Sequence, residues 1–324
     1  DMATFYYPLR RYSPCTVNIA LNLRTTVRLF PCRRRIVRVA STGFDSAEFS
    51  PDRAPLDHPL GLIFAVALYF GLDGVEIRID SRSPVRSALG GSSVAVVALI
   101  GALAEIAGAE GQKGLSRKEV ALLAHGIESS VAGVPCGIQD QLAAAFGGVN
   151  LWRWSPEIRP GGYRKETLLA PAKHPRLEKR LLVAYVGEPH ESKDVNGQWV
   201  RRFLAGRDRK QWVRIVELVH RFSESLRQMD FHDAGRVMSQ ETALRLKMTP
   251  DVLDDVGMRL FLSAAASDCG ARFSGAGGGG CLWALGSKEG VEELRLAWGD
   301  VLSSHRTARL LEVGVDSRGL LCQL

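Results

Sequence analysis

The sequence predicts an α+β protein with two domains, and three observations support this. The chain has 324 residues, more than the roughly 250 residues at which single hydrophobic cores stop growing. Strand-like and helix-like segments alternate on both sides of residues 156–179. That stretch is rich in proline, lysine and arginine, which is typical of a linker. We therefore predict domains at residues 1–176 and 177–324.

Each element of the first domain has its own signal. β-branched residues between Thr16 and Val39 predict two or three strands. The uncharged stretch 59–71 predicts a buried helix, and the alternation in 74–80 predicts a half-buried strand. Ser116 can cap a further helix. The segment "QDQLAAAFGGVNLWRW" predicts a short helix, a turn and a strand.

The second domain repeats this mixture of strands and helices. It opens on the apolar segment "RLLVAYVG", which predicts a strand. Helical periodicity follows over 210–229, 232–248 and 251–266. The glycine-rich stretch "GARFSGAGGGGCLWALG" is strand-like on both sides of its glycines, and a helix and a closing strand complete the unit.

Composition narrows the class of protein. Six cysteines lie scattered without metal-type spacing, which favours reduced thiols, no structural metal and a cytoplasmic location. The longest uncharged apolar runs, 60–72 and 94–104, are shorter than a membrane span. The net charge is +7, but the basic cluster at 33–38 lacks interleaved aromatic residues, so neither a nucleic-acid nor a membrane partner is expected. The oligomeric state stays open, a homodimer included.

The stretch "PVRSALGGSS" has the chemistry of a phosphate-binding loop. A strand ends near Asp80, Gly90 and Gly91 remove the Cβ atoms that would keep a ligand away, and a helix follows. The unpaired N–H groups of that helix and the hydroxyls of Ser92 and Ser93 suit phosphate oxygens or Mg²⁺. The alternative is an ordinary loop before a serine-capped helix. A Walker A loop is excluded, because its lysine is missing.

A second glycine-rich stretch, "SGAGGGGC", contains G-x-G-x-x-G at Gly275, Gly277 and Gly280. A dinucleotide fingerprint must open a helix, whereas "CLWAL" continues here as a strand. The glycines therefore indicate either a close approach of the backbone to a ligand or a plain tight turn.

The third segment, "GIESSVAGVPCGIQDQ", contains two carboxylates that flank a Gly-Val-Pro-Cys-Gly turn. Glu128 and Asp140 near a phosphate-binding helix end are electrostatically unfavourable unless a cation lies between them and the phosphates, or one handles a proton. The alternatives are a helix N-cap for Asp140 and a solvated surface position for Glu128.

Together, "PVRSALGGSS", "VPCGIQDQ" and "SGAGGGGC" resemble the motifs of the GHMP kinase superfamily, in the family's order and over essentially the whole chain. "QDQLAAAFGGVN" is most similar to sugar kinases of the D-glycero-D-manno-heptose 7-phosphate kinase and fucokinase type. The resemblance implies the two-domain GHMP kinase fold, with a ribosomal-protein-like N-terminal domain and a ferredoxin-like C-terminal domain.

The resemblance also implies site residues for ATP and Mg²⁺. The triphosphate would lie on the loop formed by Ala88, Leu89, Gly90, Gly91, Ser92 and Ser93. Ser93 and Glu128 would bind Mg²⁺, and Asp140 would take or orient the proton of the attacking hydroxyl. The loop differs from the family pattern at Arg86 and Ala88, where the family has glycine.

On the substrate side, the resemblance implies a further set of residues: Asp1, His190, Ser192, Lys193, Gly275, Ala276 and Gly277. A polar surface loop is the alternative for the segment 190–193. The first family motif is missing, and Asp1 is similar to the last residue of that motif's turn. We therefore expect the natural protein to begin earlier.

The implied reaction is transfer of the ATP γ-phosphoryl group to a sugar hydroxyl, at the anomeric carbon of a heptose 7-phosphate or a related sugar. Two alternatives stay open. One is a non-catalytic sugar or nucleotide sensor with the same fold. The other is a kinase for another small alcohol, such as a mevalonate-pathway intermediate, although the segment 135–141 favours a sugar.

Overall fold

The computed structural model describes residues 2–111, 113–133, 135–158, 162–187 and 195–323. Predicted site residues Asp1, His190, Ser192 and Lys193 lie outside the described residues. The chain forms two compact units. The larger unit comprises Asp1–Asn22, Arg86–Leu89 and Gly148–Ser317, and the smaller unit comprises Leu23–Val85, Gly90–Gly147 and Arg318–Leu324.

The two units interleave along the chain, so they do not coincide with the division predicted at residues 176 and 177. The cause is strand pairing within the larger unit. Strand β1 (Cys15–Ile19) pairs with β6 (Val149–Trp154), which in turn pairs with β7 (Tyr163–Leu169). Backbone pairing thus attaches the first residues of the chain to the segment that follows residue 148.

The prediction of a linker at 156–179 is wrong. This stretch contains β7 and a short helix, α6 (His174–Glu178). Two of the basic residues that suggested a linker, Arg164 and Lys165, lie at exposed positions of β7, while the strand's apolar residues Tyr163, Leu168 and Leu169 are buried. A half-buried strand with a charged outer face explains both features.

The smaller unit is a sheet that packs against helices. Its strands are β2 (Thr25–Pro31), β3 (Val37–Ser41), β4 (Ala47–Phe49) and β5 (Val75–Ser81), in the order β2-β5-β3-β4. Its helices are α2 (Gly61–Tyr69), α3 (Gly91–Ala109), α4 (Arg117–Val131) and α5 (Gln139–Phe146). The predicted strands, the buried helix and the Ser116 cap of α4 are confirmed.

Helix α3 forms the core of the smaller unit. It contacts α2, α4, α5 and β2, and Val96, Val97, Leu99 and Ile100 are almost completely buried. The helix continues beyond the uncharged run at 94–104, and it is the one helix of the described residues that is long and apolar enough to span a membrane by length and composition. Its contacts with the sheet and the other helices are those of a core helix.

The larger unit contains β1, β6 and β7 and a second sheet in the order β11-β8-β10-β9. The strands of this sheet are β8 (Leu181–Tyr185), β9 (Cys269–Phe273), β10 (Cys281–Gly286) and β11 (Arg309–Leu311). The remaining helices are α1 (Ala3–Tyr6), α7 (Val195–Leu204), α8 (Arg209–Gln228), α9 (Phe231–Met248), α10 (Asp255–Ala266) and α11 (Lys288–Ser303).

Helix α10 begins later than predicted, because the Asp254 side chain caps it by accepting from the Gly257 N–H. Helix α7 was not predicted.

A buried ion cluster lies in the core of the larger unit. The Glu241 carboxylate accepts hydrogen bonds from Arg245 Nε at 2.7 Å and Arg272 Nε at 2.9 Å. The Arg245 guanidinium lies over the rings of Trp199 and Trp212, at 4.4 and 4.5 Å from their centroids. Burial raises the pKa of Glu241, but the two guanidinium groups outweigh it and bring that pKa down to about 2.

We expect Glu241→Gln to lower the free energy of unfolding by about 3–5 kcal/mol, because it leaves buried guanidinium charge uncompensated. Chemical denaturation at pH 7 measures this change. The pKa of Glu241 is lower in the folded state, so its stabilising contribution is present above about pH 4.5 and is lost as the pH falls toward 2.

Glu217→Gln is the matched control, since Glu217 forms an exposed pair with Arg214 on α8. This variant should change the free energy of unfolding by less than about 1 kcal/mol. Equal effects of the two substitutions would contradict a stabilising role for the buried cluster.

Candidate active site

Helix α3 begins without a side-chain cap. Its N-cap residue is Gly90, in the left-handed conformation with φ 70° and ψ 27°. The Val94 N–H donates to the Gly90 carbonyl oxygen at 2.9 Å, so the N–H groups of residues 91–93 have no acceptor within the helix. In α4, by contrast, the Ser116 hydroxyl oxygen accepts from the Glu119 N–H. The start of α3 therefore has the donors and the positive dipole end that attract an anion.

The Glu128 carboxylate binds both serines at the start of α3. Ser92 Oγ donates to Glu128 Oε1 at 2.8 Å, and Ser93 Oγ donates to Glu128 Oε2 at 2.7 Å. Ser93 is buried, whereas Ser92 is exposed and Glu128 is half-buried. Because both hydroxyl protons are directed to the carboxylate, the oxygen lone pairs of the serines remain available to another group. The alternative of a solvated Glu128 is therefore excluded.

Asp140 lies against Gly90. A Cβ atom on Gly90 would lie 2.8 Å from both Cβ and Cγ of Asp140, whereas one on Gly91 would have no neighbour within 4 Å. The two glycines thus have different roles, although both were predicted to make room for a ligand. Gly90 makes room for the Asp140 side chain, and only Gly91 faces open space.

The acidity of Asp140 is weakened by its surroundings. Burial raises the pKa of Asp140 to about 6, and the nearby negative charge of Glu128 contributes in the same direction. The N-cap alternative for Asp140 is wrong, because Ile138 occupies the N-cap of α5 and Asp140 lies in the first turn. A carboxyl group that titrates near neutral pH is suited to proton transfer.

The side chains around Glu128 fit a hard cation such as Mg²⁺. The ligands offered are carboxylate and hydroxyl oxygens, which Mg²⁺ prefers. Among the described residues, no group of three or more His, Cys, Asp or Glu side chains could hold a metal ion. Mg²⁺ accepts such a sparse set, because it commonly retains waters and binds substrate phosphates as well.

Gln141 is also part of this cluster, although it was not among the predicted site residues. Its Nε2 donates to Glu128 Oε2 at 2.6 Å and to Ser93 Oγ at 3.2 Å. Only 1% of the residue is exposed. The segment "QDQ" could have indicated a role for Gln141 beside Asp140. Adjacent residues of a helix point about 100° apart, so their side chains can contact two different neighbours.

The predicted loop residues Ala88 and Leu89 belong to the larger unit. Arg86 and Ala88 have φ values of 54° and 57°, so both adopt the left-handed conformation that glycine tolerates best. The loop packs on the glycine turn between β9 and β10. A Cβ atom on Gly280 would lie 2.7 Å from the carbonyl carbon and oxygen of Ser87.

The predicted substrate residues Gly275, Ala276 and Gly277 lie in that same turn. The Gly277 N–H donates to the Ser274 carbonyl oxygen at 3.2 Å, and a Cβ atom on Gly277 would lie 2.5 Å from the Val252 carbonyl oxygen. Tight packing therefore accounts for glycine at 277, and its N–H is used within the turn. Gly275 is exposed.

The two glycines at the start of α3 provide a matched pair of substitutions. We expect Gly90→Ala to lower the free energy of unfolding by at least about 1–2 kcal/mol, because its φ is left-handed and the added methyl group meets Asp140. Gly91→Ala should raise stability by up to about 1 kcal/mol, as alanine is the better helix residue. Denaturation midpoints measure both effects. Equal destabilisation by the two variants would contradict the role assigned to Gly90.

Comparison with known proteins places this site in a family context. The model for the GHMP kinases N terminal domain matches residues 60–148. This range includes the start of α3, Glu128, Asp140 and Gln141, so the whole cluster described above lies inside the matched domain.

Similar proteins include kinases for different alcohols. A mevalonate kinase from Pyrococcus horikoshii is 28% identical over 227 residues, which span 65% of this chain and 59% of that protein. A galactokinase from Chloroflexus aggregans is 36% identical over 138 residues, 40% of this chain and 34% of the relative. The chain thus aligns with less than two thirds of the length of these relatives.

Similarity of fold extends over nearly the whole chain. The crystal structure of Lactococcus lactis galactokinase complexed with galactose superimposes with a TM-score of 0.74, covering 95% of this chain and 89% of that one. At 17% identity, this similarity concerns the fold alone. The predicted α+β architecture is confirmed, and residues 60–148 of the chain match the N-terminal domain of the GHMP kinases.

Proposed function

We propose that this protein is an ATP-dependent kinase that transfers the γ-phosphoryl group to a hydroxyl of a small alcohol, with a sugar as the first candidate. The arrangement around Glu128 carries this proposal. An uncapped helix end, two serine hydroxyls on one carboxylate, and a second carboxyl group with a raised pKa lie within one unit. Phosphoryl transfer depends mainly on such positioning and charge neutralisation.

The residues at the start of α3 would bind the nucleotide phosphates. The N–H groups of residues 91–93 lack helical acceptors and can donate to phosphate oxygens. Ser93 and Glu128 would hold Mg²⁺, with Ser92 supporting Glu128 from the other carboxylate oxygen. When bound, Mg²⁺ neutralises charge on the phosphate oxygens during transfer.

Asp140 would act as the general base or orient the attacking hydroxyl. A pKa of about 6 leaves the side chain mostly ionised at neutral pH and close enough in acidity to accept a proton during the reaction. Its side chain lies against Gly90, where there is no room for a Cβ atom. This raised pKa also argues against the alternative of a non-catalytic sensor, which has no need for a base near neutrality.

The alcohol that accepts the phosphoryl group remains to be identified, and a sugar is our first candidate. The segment "QDQLAAAFGG" resembles sugar kinases, and the galactokinase relative has the higher identity of the two proteins compared above. The anomeric hydroxyl of a heptose 7-phosphate or a related sugar is therefore the proposed acceptor. Mevalonate is the second candidate, because the mevalonate kinase aligns over a larger share of the chain.

A panel assay tests the acceptor. We expect the full chain with ATP and Mg²⁺ to release ADP in the presence of heptose 7-phosphate, fucose or galactose, and to do so less efficiently with mevalonate. A coupled assay of ADP and mass spectrometry of the product measure the result. ADP release with mevalonate alone would overturn the sugar assignment, while no release with any acceptor despite ATP binding would support the sensor.

Asp140→Asn tests the proposed base. Turnover should fall by about 10²–10⁴-fold, while binding of ATP with Mg²⁺, measured by calorimetry, stays close to that of the wild type. In the wild type, kcat should decrease at acidic pH as Asp140 becomes protonated, with an apparent pKa no higher than about 6, because bound Mg²⁺ would offset the negative charge of Glu128. Undiminished turnover in the variant would contradict the assigned role.

The same substitution should stabilise the fold at neutral pH. The pKa of Asp140 is raised in the folded state, so wild-type stability decreases as the pH rises from about 4 to 6. Asp140→Asn avoids this loss and should gain about 1–3 kcal/mol at pH 7.5 relative to pH 4. Denaturation at the two pH values measures the difference. Asp300→Asn, an exposed position on α11, is the control and should show no such gain.

A further inference from the structure

Gln141 is a buried polar residue next to the proposed base, and the function proposed above does not yet use it. It lies on α5 directly after Asp140, with 1% of its surface exposed. A buried amide without hydrogen bonds is costly. Its amide nitrogen donates two hydrogen bonds within the Glu128 cluster, so this position serves more than packing.

Chemistry fixes the orientation of the Gln141 amide. An ionised carboxylate only accepts hydrogen bonds, so the amide nitrogen must be the atom that faces Glu128 Oε2 at 2.6 Å. Ser93 Oγ gives its own proton to the same carboxylate oxygen and can therefore accept from Gln141 Nε2 at 3.2 Å. The three side chains form a closed triangle of hydrogen bonds.

This triangle joins three helices at one carboxylate oxygen. Ser93 comes from α3, Glu128 from α4 and Gln141 from α5. Ser92 occupies the other carboxylate oxygen, at 2.8 Å. Both oxygens of Glu128 are thus held in place, and α5, which carries Asp140, is tied to the pair that would bind the metal.

The hydrogen bonding of Gln141 is incomplete within the described residues. Its Oε1 atom is buried and has no hydrogen-bond partner there. An unpaired buried acceptor costs about 1–3 kcal/mol, a cost that an added donor would remove. A buried acceptor beside carboxylate and hydroxyl ligands is consistent with a site whose hydrogen bonds are completed by a bound, hydrated cation.

We propose that Gln141 is a positioning residue that fixes the Glu128 carboxylate and the Ser93 hydroxyl for Mg²⁺. This inference rests on the proposed function, because it concerns the same metal site. Residues that orient metal ligands in this way typically contribute about 10–100-fold to metal affinity. Gln141 touches neither the acceptor nor the nucleotide in this scheme.

Gln141→Met tests the proposal, because methionine has a similar size and provides no amide donor. We expect the variant to bind Mn²⁺ about 10–100-fold more weakly in the presence of adenylyl imidodiphosphate, measured by electron paramagnetic resonance of free Mn²⁺. In turnover assays the Mg²⁺ concentration for half-maximal rate should rise, whereas kcat at saturating Mg²⁺ and the KM of the acceptor stay near wild type. A purely structural role would lower the melting temperature without changing metal affinity.

Two further variants secure the result. Gln141→Asn retains a buried amide but is one methylene shorter, so it should fold even where methionine does not, and it should also weaken Mn²⁺ binding. Gln228→Met is the matched control, since Gln228 donates to Glu224 at 2.8 Å on the exposed face of α8, and it should bind Mn²⁺ as the wild type does.

The outcomes separate the two proposals. Wild-type Mn²⁺ affinity in folded Gln141→Met and Gln141→Asn would overturn the positioning role and leave the proposed function intact. Failure of the wild-type chain itself to bind Mn²⁺ with the nucleotide analogue would overturn both.

Discussion

The Glu128 carboxylate is the group on which the candidate site depends. It accepts hydrogen bonds from Ser92, Ser93 and Gln141, so one negative charge joins three helices of the smaller unit. Charge-assisted hydrogen bonds are about twice as strong as neutral ones. The Glu128 side chain therefore holds three features in fixed positions relative to one another: the uncapped end of α3, the proposed metal ligands and the helix that carries Asp140.

The same charge also contributes to the raised pKa of Asp140. Burial is the larger cause of the raised pKa, and the Glu128 charge is the second. Neutralising Glu128 would remove the second cause and lower the pKa of Asp140, because like charges disfavour ionisation. A cation bound at Glu128 would therefore make Asp140 easier to ionise, although the effect of burial on its pKa would remain.

Local signals in the sequence predicted much of this site. Glycines before an apolar run indicated the start of α3, and Ser116 indicated the start of α4. The separate roles of Gly90 and Gly91 and the burial of Gln141 could not be predicted, because both depend on how α3, α4 and α5 pack. The linker prediction at 156–179 failed because β7 pairs with the preceding strand β6, which is itself paired with β1, a strand distant in sequence.

The loop before α3 has non-glycine residues at two positions where the family has glycine, and its packing explains how these residues are accommodated. Arg86 and Ala88 adopt the left-handed conformation, which costs a residue with a Cβ atom roughly 1–2 kcal/mol. Glycines at 275 and 280 leave room for the backbone of this loop, since a Cβ atom on Gly280 would meet Ser87 and Ala88 within 3 Å. The loop and the turn that packs on it approach closely, and it is the glycines of the turn, rather than glycines of the loop, that prevent a steric clash. Departure from the family pattern at Arg86 and Ala88 is therefore compatible with a loop that keeps glycine-like backbone angles.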